Sequence, residues 1–88
     1  MEKAVYMQIL GDNIREMRKK KRLTMETVAA QAGLAYSQIN RIELGKRCPS
    51  VYTLWLISNV LGVCFSDLLP EGTSYKTEKI QLDNGSGG

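Results

Sequence analysis

Histidine is absent from this 88-residue chain. Its absence removes the base of a Ser/His or Cys/His catalytic pair and the commonest ligand of zinc and non-haem iron sites. Cysteine is scarce. Cys48 and Cys64 are too few for a disulfide framework and lack the spacing of zinc ligands, so both are expected as reduced thiols. No P-loop and no GxGxxG stretch occurs. Long apolar runs are missing too: each is broken by Ser, Gly or Asp well short of a membrane span. Met1 to Leu10 lacks the apolar segment of a signal peptide. The expectation is a cytoplasmic protein with no catalytic activity, no cofactor, no metal and no membrane partner.

What remains is ordinary for a globular domain, with 43% apolar and 24% charged residues,. The length fits one domain, near the size at which a single core becomes marginal. The net charge of +3 is unevenly placed. Six of the twelve basic residues fall in "REMRKKKR", Arg15 to Arg22, and Arg41, Lys46 and Arg47 form a second group. Basic groups attract polyanions through counterion release. The first run, however, faces several directions on a helix, so most of it serves solvation and long-range steering.

Apolar spacing predicts five helices. The first covers Val5 to Lys21, with Leu10, Ile14 and Met17 on one stripe. Thr24 is placed to cap a second helix, Met25 to Ala32, whose inner face is Val28, Ala29 and Ala32. Gly33 ends it, in a conformation that costs glycine little. The third covers Tyr36 to Leu44, with Ile39 and Ile42 inward and Ser37, Asn40, Arg41 and Leu44 outward. Gly45 stops it. After the loop "GKRCPS", Ser50 caps a fourth helix, Val51 to Leu61, with Leu54, Ile57, Ser58 and Leu61 inward. A last short helix covers Phe65 to Leu69. Residues 1–70 then form the domain, and 71–88 a C-terminal tail, disordered or a weak strand around "YKTEKIQLD".

Two short helices joined by a glycine-containing turn, the second with a polar outer face, describe a helix-turn-helix. Such a helix fits the major groove of DNA, where every base pair presents its own pattern of donors and acceptors. Three stretches carry a wider resemblance: "LGDNIREMRKKKRLTMETVAAQAG", "YSQINRIELGKRCPS" and "LWLISNVLGVCFSDLL". Together Leu10 to Leu69 resembles the five-helix DNA-binding domain of the Cro/C1 phage-repressor type, the XRE family. The resemblance implies an all-α, lambda-repressor-like bundle that binds double-stranded DNA as a transcriptional regulator, a repressor above all.

The same resemblance implies roles for single residues. The start of the third helix would read base edges, which nominates Tyr36, Ser37, Asn40 and Arg41. Gln38 lies on the flank and is the weaker candidate. Thr24, Lys46, Arg47, Ser50 and Tyr52 would meet phosphates. Arg18 and Glu43, each beside an inner stripe, are expected to form a partly buried salt bridge. Two departures from the family pattern stand out: Met25 where Gln often follows the capping Thr, and Ala35 where Ser or Thr often caps the third helix.

Trp55, Leu56, Val60 and Phe65 are candidates for an apolar patch that buries against a second copy or against the tail. A homodimer would set two reading helices in successive major grooves. Two alternatives stay open: an antitoxin with a toxin partner, or a restriction–modification controller, on the same fold; and a protein-interaction module using the same helices.

Overall fold

The computed structural model describes residues 1–71. Of the expected tail, 71–88, only Glu71 falls within the described residues. Four α-helices follow one another: α1 (Lys3–Lys20), α2 (Met25–Ala32), α3 (Tyr36–Glu43) and α4 (Val51–Leu61), then a 3-10 turn, Phe65–Leu68. The fifth element is therefore a single tight turn and not an α-helix. Pro70 forces Leu69 into extended backbone (φ −73°, ψ 151°), so the turn has no room to lengthen,. The spans of α2 and α4 match those read from the sequence; α1 starts two residues earlier and stops one residue sooner, and α3 stops one residue sooner.

All four helices stop by the same device. An amide beyond the helix end reaches back to a carbonyl five residues earlier: Leu23 to Arg18 (3.0 Å), Leu34 to Ala29 (2.9 Å), Lys46 to Arg41 (2.9 Å) and Val63 to Ser58 (3.1 Å). This closure needs one residue in the left-handed region. Gly33, Gly45 and Gly62 supply it at φ 73°, 75° and 72°; at the end of α1 the residue is Arg22, at φ 61°. An L side chain in that well costs about 1–2 kcal/mol.

The helices close around one core of Leu10 and Ile14 from α1, Val28 and Ala29 from α2, Ile39 and Ile42 from α3, and Leu54, Ile57 and Leu61 from α4, with Leu68 sealing one end. α2 packs on both α3 and α4, and α3 packs on α1. Asn13 Nδ2 on α1 donates to the Leu68 carbonyl at 3.0 Å, which ties the 3-10 turn to the first helix. Of the four candidates for an apolar patch, Leu56 and Val60 are already half-buried within the monomer, and Val60 packs against the core. The reason is that α4 has neighbours on two sides, α2 and the 3-10 turn, so its covered arc is wider than one stripe.

Gly11 decides how closely α1 and α3 meet. A Cβ built there would strike the backbone oxygen of Ile42 and lie 2.7 Å from that of Glu43. Gly33 differs: nothing lies within 4 Å of its absent Cβ, so its left-handed backbone alone accounts for it. The two glycines should thus respond differently to alanine. Gly11→Ala overpacks against backbone that cannot rotate away and should cost about 3 kcal/mol, whereas Gly33→Ala should cost about 1 kcal/mol. Urea unfolding midpoints will rank them; equal costs would refute the close crossing.

Candidate nucleic-acid interface

α3 divides cleanly into two faces. Ile39, Ile42 and Glu43 are buried. Ser37 and Arg41, one turn apart, are exposed, Tyr36 retains 45% of its surface, and Asn40 is half-buried beside them. The outer face therefore carries a phenol, a hydroxyl, a carboxamide and a guanidinium on one short rod. These groups supply donors and acceptors matching those on base edges: Arg grips guanine O6 and N7, and Asn grips adenine N6 and N7. Lys46 and Arg47 follow in the loop after α3, both exposed.

The first turn of α3 is held in an unexpected way. Ala35 has no side-chain acceptor, yet its own N–H donates to Gln38 Oε1 at 2.9 Å. Half of a capping box is thus present, built from the third helical residue back. Gln38 belongs to the scaffold that presents α3, a role the sequence reading did not give it. The available signal was a Gln three residues after the cap position.

Thr24 and Ser50 are also committed to caps. Thr24 Oγ1 accepts the Thr27 N–H at 3.0 Å and lies 2.9 Å from Thr27 Oγ1. Ser50 Oγ repeats the pattern with Thr53, at 3.1 Å to each group. Their hydroxyls fix the starts of α2 and α4. The groups those starts offer to an anion are first-turn backbone N–H groups without an intrahelical partner. Tyr52 is exposed, and its ring stacks on Trp55 with centroids 6.3 Å apart and planes 24° apart. The apolar surface of α4 is consequently Val51, Tyr52 and Trp55, joined by Phe65, which retains 37% of its surface.

Beneath this face lies the Arg18–Glu43 pair. Arg18 Nε donates to Glu43 Oε2 at 2.7 Å and Nη2 to Oε1 at 3.0 Å, a bidentate fork with both side chains almost wholly buried. Nη1 donates to the Leu23 carbonyl at 2.9 Å. One guanidinium therefore joins α1, the end of α3 and the turn that leads into α2. The hydrogen bonding it donates to Glu43 raises the Arg18 pKa above its ordinary value against the opposing effect of burial, with smaller additions from the carboxylates of Glu43 and Glu26. Arg18 stays cationic throughout the working pH range.

Among the described residues, no cluster of three or more His, Cys, Asp or Glu could hold a metal ion, and no helix is long and apolar enough to cross a membrane. A short helix with a polar outer face, braced by its predecessor across a tight bend, defines the DNA-binding helix-turn-helix class of regulators. The helix-turn-helix family profile HTH_3 matches residues 14–68, and the chain belongs to that family, in its Cro/C1-type (XRE) form.

An uncharacterised HTH-type transcriptional regulator of Sinorhizobium fredii is 34% identical over 62 residues, covering 70% of this chain and 80% of that protein. The immunity repressor protein of Bacillus phage phi105 is 31% identical over 75 residues, covering 85% of this chain. The chain spans about half, 52%, of that repressor. The crystal structure of the restriction–modification controller protein C.AhdI of Aeromonas hydrophila superposes with a TM-score of 0.70 at 28% identity, covering 72% of this chain and 96% of that one.

The buried pair yields a double-mutant cycle. Arg18→Met or Glu43→Leu alone strands a charge and should cost about 3–5 kcal/mol. Together they should cost clearly less than the sum, because no charge is left unpaired. Chemical denaturation of the three variants measures this; additive losses would show that the fork contributes no coupling.

Proposed function

We propose that the protein is a sequence-specific double-stranded DNA-binding transcriptional regulator of the repressor kind, acting in the cytoplasm without catalysis. α3 enters the major groove, with Tyr36, Ser37, Asn40 and Arg41 as base readers. Lys46, Arg47, Tyr52 and the capped starts of α2 and α4, at Thr24 and Ser50, meet the phosphates. One observation carries this reading: α3 buries Ile39, Ile42 and Glu43 while its other face presents Tyr36, Ser37, Asn40 and Arg41, groups that hydrogen-bond or stack. The phage immunity repressor among its relatives supports the repressor role. The similarity to a restriction–modification controller supports a second reading within the same class, a regulator of such a gene pair.

The reader and phosphate roles separate under mutation. Arg41→Ala should relax base preference at one position of each half-site by about 1–3 kcal/mol. Lys46→Ala should weaken binding to all duplexes alike and flatten the salt dependence. Selection of bound sites from random duplexes, followed by titrations on selected and unrelated DNA, tests both. Identical behaviour of the two variants would refute the assignment.

The working form is proposed to be a homodimer joined through Trp55 and Phe65, with Leu56 and Val60 beneath them. Two copies would then meet half-sites about 34–36 Å apart. Trp55→Glu should convert dimers to monomers in sedimentation while the fold is retained, because the ring is 47% exposed and not core. An unchanged mass would discard this interface.

A further inference from the structure

The end of α1 departs from the rule that the other three helix ends follow. Each of those places glycine in the left-handed position, whereas α1 places Arg22 there. The backbone hydrogen bonds around it are intact: Arg22 N–H donates to the Lys19 carbonyl at 2.9 Å and Leu23 N–H to that of Arg18 at 3.0 Å. The conformation is therefore imposed by the closure, and the side chain is what makes it costly. Asn or Asp would soften that cost through local hydrogen bonds; arginine has none here. The Arg22 side chain is exposed, with no hydrogen bond or ion pair among the described residues. A strained residue that gives nothing back to the fold directs attention to a ligand.

The fold fixes where that side chain stands. The next carbonyl along, Leu23, is held by Arg18, and Arg18 is held by Glu43 at the end of α3. Two residues after Arg22, Thr24 caps α2. Beyond Glu43 the chain continues through Lys46 and Arg47, both exposed. Arg22 thus sits on a turn locked to the same brace as the reading helix. The neighbouring Lys21 is directed elsewhere: its Nζ lies against the end of α4, 3.9 Å from the position a Gly62 Cβ would take. Within the basic run, the backbone itself singles out one residue.

We infer that Arg22 is a dedicated phosphate-binding residue at the rim of the interface, clamping one DNA backbone oxygen beside the start of α2. The inference rests on the reading that α3 enters the major groove. Guanidinium and phosphate match in charge and in their paired hydrogen bonds.

Stability and affinity should consequently move in opposite directions. Arg22→Gly in the full chain should melt about 4 °C higher in the absence of DNA, because the strain is gone. It should nevertheless bind both a selected duplex and an unrelated one more weakly, and the slope of log K against log salt should be shallower by about 0.9, the value of one phosphate contact. Arg22→Gln should show the same loss of slope without the gain in melting temperature, and Arg22→Lys should keep most of the slope. An unchanged slope in both Arg22→Gly and Arg22→Gln, with the wild type binding normally, would overturn the role of Arg22. No rise in melting temperature for Arg22→Gly would overturn the strain argument. Failure of the wild type itself to bind any duplex at low salt would instead overturn the nucleic-acid reading.

Discussion

The contact on which the rest of this structure turns is the fork between Arg18 and Glu43. It lies where α1 and α3 cross, and its third hydrogen bond reaches the Leu23 carbonyl. A charged pair in such a place adds little net stability, since taking both groups out of water offsets much of their attraction. Its value lies in geometry. A guanidinium has one plane and fixed donor directions, so three segments meeting at it share one arrangement. An apolar contact at the same place would tolerate sliding. α3 is only eight residues long, too short to be stable by its own propensity, and a helix of that kind takes its orientation from what holds it.

The two ends of α3 are secured differently. Its far end is held by Glu43 and by the closeness that Gly11 permits. Its near end relies on Gln38 folding back to the Ala35 amide, after the bend at Gly33. Both restraints come from below or from within the helix, so neither occupies the outer surface. The result is a rod fixed in place whose exposed groups remain uncommitted, the condition under which hydrogen bonds to a second molecule cost least to form.

Much of this was legible in the sequence. Helix limits, the inner stripes of α2, α3 and α4, and the glycine stop at Gly33 follow from spacing and capping chemistry. Those are local rules, and the local rules held. What could not be read depended on neighbours. Gly11 sits within a helical stretch, where glycine is normally a weak residue, and only the nearness of the Ile42 and Glu43 carbonyls explains it. The half-burial of Leu56 and Val60 required knowing that α4 is flanked twice. The caps at Thr24 and Ser50 were legible, but the duty of Gln38 turned on one hydrogen bond back to the Ala35 amide, which residue type alone leaves open. The shortness of the last element was encoded in Pro70, whose effect reached one residue further back than a helical pattern suggests.

The stack of Tyr52 on Trp55 has an optical consequence. The chain holds one tryptophan, and nearly half of it faces solvent on α4, stacked on Tyr52. Its indole emission therefore reports the environment of that one side of the molecule. Excitation energy absorbed by the adjacent phenol has a near acceptor for as long as α4 is intact. The protein carries a built-in fluorophore that reports on the Tyr52 ring and the surface of α4 around it, with no label attached.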